Sequence, residues 1–376
     1  MNTLGKYFRF TSFGESHGLA IGGVLDGVPA GIEINFAMIR KALDRRAGRT
    51  TGDDVNEKAR GISPRAMHEP DEVEWLSGIV DGKTLGAPIA FLIRNHDARS
   101  EDYEWLKHSY RLGHADFTYQ QKYGIRDHRG GGRASARETA SRVVAGTIAK
   151  QILEKENIHI HAELIQIGSE TNPEKFTTYL STIQQEGDSI GGIVQCKIIG
   201  LPVGVGEPIF DKLQSHLAFA MMSINACKGF DYGSGFEHVD KRGSEMFLSD
   251  DQQLVTGGIA GGITDGTPIV FRCVFKPTPS NKHTLGHLIH TTNHSVSEPK
   301  RARMDACVAV RAVPVVEATA VTIPPFIVTS PNPLPPPPIA LQFSATVVPA
   351  YIIPLLNSIP EQCSFVPSSL PPIAAQ

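Results

Sequence analysis

Apolar residues recur along this chain at two spacings. In "AIGGVLDGVPAG" (20–31), "APIAFLIRN" (87–95), "GGIVQCKIIG" (191–200) and "TPIVFRCVFKP" (267–277) they form short runs with β-branched residues, bounded by turn signals. That length and chemistry predict strands. A helical period instead runs through 36–46, 136–155 and 208–222. In the second of these, Ala136, Ala140, Val143, Val144, Thr147 and Ile148 share one face and charges fill the other. Strands and helices do not alternate regularly, so the pattern predicts an α+β fold and argues against a doubly wound nucleotide-binding sheet.

No linker breaks the chain before about residue 320, which predicts a single catalytic-size domain over 1–320. The polar, His-rich stretch 281–300 reads as a surface loop. Its histidines lack the helical spacing and acidic companions of a zinc motif, so no metal site is expected. From 321 to 376 the character changes. Fourteen of the 26 prolines fall between Pro324 and Gln376, and Glu361 is the only charged residue after Thr319. Proline this dense forbids a regular helix or central strand. The segment is also too apolar for a typical disordered linker.

Length and charge narrow the function. The 376 residues suffice for a full hydrophobic core, and a net charge of -3 excludes a general polyanion binder. Attraction for an anion must therefore be local. Neither nucleic acid nor membrane is an expected partner. Five dispersed cysteines (Cys196, Cys227, Cys273, Cys307, Cys363) without a C-x-x-C pattern read as reduced thiols. With no basic-then-apolar leader, a cytoplasmic location is expected.

The candidate chemistry lies in five short stretches. In "HRGGGRASARET" (128–139), bare backbone beside Arg129, Arg133 and Arg137 fits an anion cradle at a helix entrance. It equally fits a Gly-rich turn before a helix capped by Ser135, with Glu138 completing a capping box. In "FGESHG" (13–18), flanking glycines keep Ser16 and His17 approachable, and histidine is a natural proton donor near neutral pH. Adjacent Ser and His rarely have triad geometry, and no G-x-S-x-G elbow is present. Arg111, His114 and Asp116 bunch just upstream of the glycines, and the local reading is a loop histidine paired with Asp116. Arg45, Arg46 and Arg49 end a helix, where cations ordinarily sit exposed against the dipole. Arg303 and Asp305 read as a salt bridge ahead of an apolar run. Together these stretches supply two histidines, many arginines and a Gly-rich turn. They suit proton-assisted chemistry on a multiply anionic small molecule rather than hydrolysis by a covalent nucleophile.

The chain resembles the chorismate synthase family. "GESHGLAIGGVLDGVP" (14–29) and "GGRASARETASRVVAGTIA" (131–149) match two family signatures, and "RMDACVAVRAVPVVEA" (303–318) matches a third with departures. "GHADFTY", "QEGDSIGG", "GEPIFDKL" and "MSINACKGF" are similar to further family segments, in order, over about 1–320. The resemblance implies a β-α-β sandwich and a homotetramer. It also implies 1,4-anti elimination of phosphate from 5-enolpyruvylshikimate 3-phosphate to give chorismate, with reduced FMN (FMNH2) and no net redox change. By resemblance His17, His114 and Asp305 are catalytic. Ser16, Arg46, Arg49, Arg111, Ser135 and Arg137 hold substrate. Arg133, Ala134, Ser135, Asn225, Ala226, Gly261, Lys276, Pro277, Thr278, Pro279, Ser280 and Arg303 hold the flavin. No Rossmann-type NADPH fingerprint is present, so reduced flavin is expected from an external flavin reductase or reductant.

The chain also departs from the family pattern. Met304 stands where the family has His, and Ala306 where Pro is usual. The turn after "LDRR" lacks the family's Pro-Gly, leaving Arg49 as a stand-in for a substrate arginine. "QQLVT" (252–256) replaces a Ser/Thr-Asn pair, and Asn281 follows "KPTPS" where an apolar residue is usual. A C-terminal helix is expected to begin at Glu317 and Ala318, yet "TIPPFIV" (322–328) follows. A reading-frame change would explain the abrupt loss of charge. The alternative to an active enzyme is an impaired homologue that still binds FMN or a phosphorylated ligand.

Overall fold

A computed structural model describes residues 2–49, 68–247, 255–284, 288–290 and 305–322. The proline-rich segment, Arg303, Met304, residues 252–254 and most of the His-rich stretch lie outside the described residues.

Two antiparallel sheets carry the fold. The first orders its strands Thr3–Leu4, Arg9–Gly14, Ala20–Asp26, Ile89–Arg94, Val73–Trp75. The second orders Cys227–Tyr232, Ile269–Phe275, Gly192–Ile199, His159–Ile167. The period-2 pattern explains which side faces inward. Ile89, Phe91 and Ile93 are fully buried on one strand, as are Val194, Cys196 and Ile198, and Ile269, Phe271, Cys273 and Phe275, on two others.

The helices Phe36–Ala47, Thr139–Lys155 and Ala309–Ala320 pack on one another. Thr139–Lys155 touches strands of both sheets, so the helices form a layer between them. The α+β sandwich expected from the sequence is therefore the observed architecture. That central position corrects the one-faced reading of the second helix. Thirteen of its 17 residues are buried, because a helix between two sheets has no free side. Gly146 marks its closest approach to Ala309–Ala320. A Cβ there would lie 2.2 Å from the Ala318 carbonyl oxygen.

Several boundaries differ from the sequence reading. The helix expected at 208–222 forms only over Leu213–Met222; Pro208 to Lys212 are non-helical, and Ile209 and Phe210 are exposed rather than part of an apolar helix face. The 136–155 helix begins at Thr139. Ser135 caps a preceding 3-10 turn, Ala136–Glu138, and its hydroxyl accepts from the Arg137 N–H. No capping box forms, because Glu138 turns forward to Arg142. Glu317 lies in the last turns of a helix that starts at Ala309, so the helix expected to begin there instead ends there. Pro314 sits inside that helix, which is why the run did not read as helical. Part of the expected surface loop, Leu288–His290, is a strand paired with Ser109–Arg111.

Candidate active site

The loops at one end of the first sheet and the entrance of the central helix surround a cleft of about 580 Å³. His17, Arg46, Arg111, His114, Ala134, Ser135 and Arg137 line it. So do Asn225, Ala226, Lys276, Pro277, Thr278, Pro279, Ser280 and Asp305. Most residues singled out from the sequence therefore meet, from segments almost 300 positions apart. Ser16 joins through its neighbour, its hydroxyl lying 3.1 Å from His17 Nδ1. Besides Ser16, three do not line the cleft. Arg133 donates to Ser12 and the Gly14 carbonyl on the first sheet, Arg49 pairs with Asp44, and Gly261 sits in the turn between Ile259–Ala260 and Ile263–Thr264. Arg303 is outside the described residues.

The triple glycine does something the anion reading did not anticipate. Gly130, Gly131 and Gly132 all have positive φ, at 60°, 94° and 54°. A Cβ on Gly130 would lie 2.0 Å from His17 Nδ1, and one on Gly131 would lie 2.8 Å from His114 Cε1. The bare backbone is the seat on which both imidazoles rest, in a conformation side chains rarely adopt. The edge of Tyr103 closes the other side of His17, with ring centroids 4.9 Å apart.

His114 is anchored as the local reading expected. Its Nδ1 lies 2.8 Å from Asp116 Oδ1, and Arg111 grips the same carboxylate through Nε and Nη2 at 2.8 and 2.9 Å. Arg111 Nη2, which only donates, also lies 3.1 Å from Nδ1, but the carboxylate, which only accepts, is closer at 2.8 Å and favours a proton on Nδ1, with Nε2 as the basic nitrogen. Burial favours the neutral form of Asp116, but the hydrogen bonds from Arg111 and His114 outweigh it and hold the acid ionised. Burial also lowers the pKa of His114. Asp116 opposes this, while Arg111 and Lys276 reinforce it, and the net shift is downward.

The sign of that shift gives a test. Below an unfolded histidine's pKa of about 6.5, the unfolded chain binds a proton that the folded His114 refuses. Its contribution to stability is present above that value and declines as pH falls toward the folded pKa. Long-range ¹⁵N–¹H spectra at pH 6.5 are expected to show His114 as the neutral Nδ1–H tautomer. A predominantly charged ring there would overturn the assignment.

Arg46 overturns its exposed, dipole-partner reading. It is 2 % exposed. Its Nε donates to Thr139 Oγ1 at 3.0 Å, its Nη2 to the Ala136 carbonyl at 3.2 Å, and its Nη1 lies 3.4 Å from Asp71 Oδ2. Burial pushes its pKa down to about 9, with Asp71 opposing, so it stays a cation at neutral pH. Arg137 donates to the other Asp71 oxygen, Oδ1. Burial works against ionising Asp71, but Arg46 and Arg137, with Arg49 3.9 Å away adding to them, reverse the balance and hold its pKa below the usual carboxylate value. Asp71 adopts φ 51° to present both oxygens. Arg46 and Arg137 each make three such hydrogen bonds to protein, and both line the cleft.

Asp305 pairs with Arg311, six residues along the chain; the expected pairing with Arg303 lies outside the described residues. Arg311 lay inside a quoted motif but had no role assigned. Nothing local in "EPDEVEW" singled out Asp71, and Tyr103 and Asn95 gave no signal either.

The cleft fits a flavin on an observation of its own. Asn225 Nδ2 donates to the Ala134 carbonyl at 3.1 Å, which fixes the amide and leaves its Oδ1 buried without a hydrogen-bond partner. Asn225 lines the cleft, and a buried acceptor without a partner there suits a ligand that brings an N–H. The neighbouring Ala226 is held at φ 68°, with its carbonyl accepting from Lys276 N–H at 3.0 Å. Among the described residues, no group of three or more His, Cys, Asp or Glu side chains is arranged to hold a metal ion. None of their helices is long and apolar enough to cross a membrane.

Comparison with known proteins agrees over most of the chain. The family model described as chorismate synthase matches residues 8–324, stopping where the proline-rich segment begins. The chain is 44% identical over 351 residues to "Chorismate synthase" of Christiangramia forsetii, covering 86% of this chain and 96% of that protein. It is 46% identical over 356 residues to the protein of the same name from Porphyromonas gingivalis, covering 85% and 93%. Among solved structures it is similar to "Crystal Structure of Chorismate Synthase", with TM-score 0.61 and 28% identity, over 84% of this chain and 90% of that one.

Proposed function

The chain belongs to the chorismate synthase family, and from that premise we propose that its cleft eliminates phosphate from 5-enolpyruvylshikimate 3-phosphate in the 1,4-anti sense, releasing chorismate. It is a carbon–oxygen lyase acting on a phosphorylated small molecule. The observation that carries the assignment to this cleft is the convergence of two imidazoles and three buried or half-buried guanidiniums on one cavity that also holds the orphaned Asn225 acceptor.

The residues' own chemistry supports this division of labour. Arg46, Arg111 and Arg137 present N–H donors that are already oriented by carboxylates, so an arriving phosphate or carboxylate meets fixed dipoles and forces little reorganisation. Ser16 and Ser135 add hydroxyl donors beside them. Arg49, paired with Asp44 and 3.9 Å from Asp71, stands beside the cluster and belongs to the substrate-binding proposal by resemblance. His17 stands against Ser16 as the proton donor near the departing phosphate. His114 offers a basic Nε2 whose proton affinity rises when a multiply charged anion enters beside it. Asp305 is the carboxylate that assists proton removal, and Arg311 sets its direction. Reduced FMN, bound by Ala134, Ser135, Asn225, Ala226 and the Lys276–Ser280 segment, would supply transient electron density and a proton-accepting centre without net redox change. Arg133, Gly261 and Arg303 belong to the same proposal by resemblance alone. We further assign a homotetrameric assembly, a cytoplasmic location and an external supply of reduced flavin.

Anaerobic incubation with reduced FMN and 5-enolpyruvylshikimate 3-phosphate is expected to release chorismate, read by absorbance, and phosphate in equal amounts. Flavin binding without either product would replace this reading with that of an impaired homologue.

A further inference from the structure

Asn95 follows directly on the strand Ile89–Arg94 and uses its whole side-chain amide. Its Nδ2 donates to the Glu15 carbonyl at 3.0 Å and to the Gly18 carbonyl at 2.9 Å. Its Oδ1 accepts from Arg137 Nε at 2.8 Å. The two carbonyls bracket the turn that carries Ser16 and His17. The guanidinium belongs to an arginine on the opposite wall of the cleft entrance, also held by Asp71 and by the Arg94 carbonyl at 3.2 Å. Asn95 itself does not line the cleft.

We propose that Asn95 is a positioning residue that fixes His17 relative to Arg137. The proposal rests on the reading of His17 as proton donor and Arg137 as anion ligand given above. The physical case is one of geometry. Proton delivery to a departing phosphate needs the imidazole and the guanidinium at one fixed separation, and a displacement of about 1 Å costs about 10²-fold in rate. Asparagine is the side chain that suits the junction. It offers two donors and an acceptor on one planar unit, whereas aspartate has no donor and serine has one. The turn also has contacts of its own. Gly18 N–H returns to the Glu15 carbonyl at 3.1 Å, and Ser16 N–H reaches the Gly132 carbonyl at 3.3 Å. Without Asn95 the turn keeps its shape and its links to Gly132 and Arg133 but loses its direct bridge to Arg137. Arg137 loses one of three protein acceptors and stays clamped by Asp71.

The asymmetry of those losses sets the test. Asn95→Ala is expected to lower kcat by about 10-fold or more while KM for the phosphorylated substrate stays within about threefold. Asn95→Asp, which keeps volume but removes both donors, is expected to do the same and serves if the alanine variant does not fold. A purely structural role would lower thermal stability and leave kcat per folded enzyme unchanged, and that result overturns the proposal. Because Asn95 acts through His17, its loss is expected to be non-additive, so that the double variant with His17→Ala is no slower than His17→Ala alone. Multiplying losses would also overturn it. The two readings fail separately. Wild-type turnover by His17→Ala removes the role of His17 itself. A crippled His17→Ala beside a fully active Asn95→Ala removes only the role of Asn95.

Discussion

Asp71→Ala is expected to cost this fold about 3–5 kcal/mol, the cost of removing one partner from a buried ion pair. Asp71 is 1 % exposed, its neighbours Arg46 and Arg137 are 2 % and 6 % exposed, and both of its oxygens are engaged. Removing it leaves Arg46 and Arg137 side by side in a region water scarcely reaches, with the Glu69 carboxylate, 3.9 Å from Arg137 Nη2, offsetting part of their charge. Against a typical total stability of about 5–15 kcal/mol, that is a large fraction. Asp71→Asn should cost less, since its amide oxygen can still accept from one guanidinium. Urea unfolding followed by circular dichroism gives the difference through the midpoint and slope. Added inorganic phosphate should recover part of the loss in either variant, because a bound anion supplies the missing charge and binding to the folded state stabilises by mass action. An alanine variant within about 1 kcal/mol of the parent, below the range for a broken buried pair, would mean that Arg46 and Arg137 do not depend on Asp71.

That cluster also shows where reading the chain as a string reaches its limit. The strands were legible because burial on a pleated sheet leaves a period of two in the sequence, as in Ile89, Phe91 and Ile93. The site histidines and arginines were legible because they sit in short, glycine-flanked or basic stretches whose composition is unusual by itself. Asp71 lies 25 residues from Arg46 and 66 from Arg137, in an acidic stretch that looks like ordinary surface. Asn95 is 80 residues from Glu15 and 42 from Arg137. No local pattern marks a residue whose role is to join two distant segments. Arg46 was misread for a related reason. Its neighbours on the helix make it look like a dipole partner, and only the packing of Thr139 and Asp71 against that helix end reveals it as buried. The helix Ala309–Ala320 was hidden by Pro314, since local propensity argues against what tertiary burial enforces.

His17→Ala is expected to lower turnover by about 10²-fold or more, the usual scale for losing a positioned general acid. Flavin binding should be largely retained, because the proposed flavin contacts, Asn225 and the Lys276–Ser280 segment, are left intact. The structure adds a second route to the same loss. The ring packs so closely on Gly130 that a Cβ there would overlap Nδ1 at 2.0 Å, and φ 60° already disfavours any side chain. Gly130→Ala must therefore either displace the imidazole or move the backbone that holds it. In both cases His17 leaves its contact with Ser16 at 3.1 Å and with the edge of Tyr103. If proton donation by this imidazole is what matters, Gly130→Ala and His17→Ala should show similar kcat, and combining them should add little. Single-turnover measurements with saturating reduced flavin separate this from a binding defect. A Gly130→Ala enzyme that is folded and as fast as the parent would show that the placement of His17 on the triple glycine is not required for turnover. The glycines would then have to be explained by the turn alone.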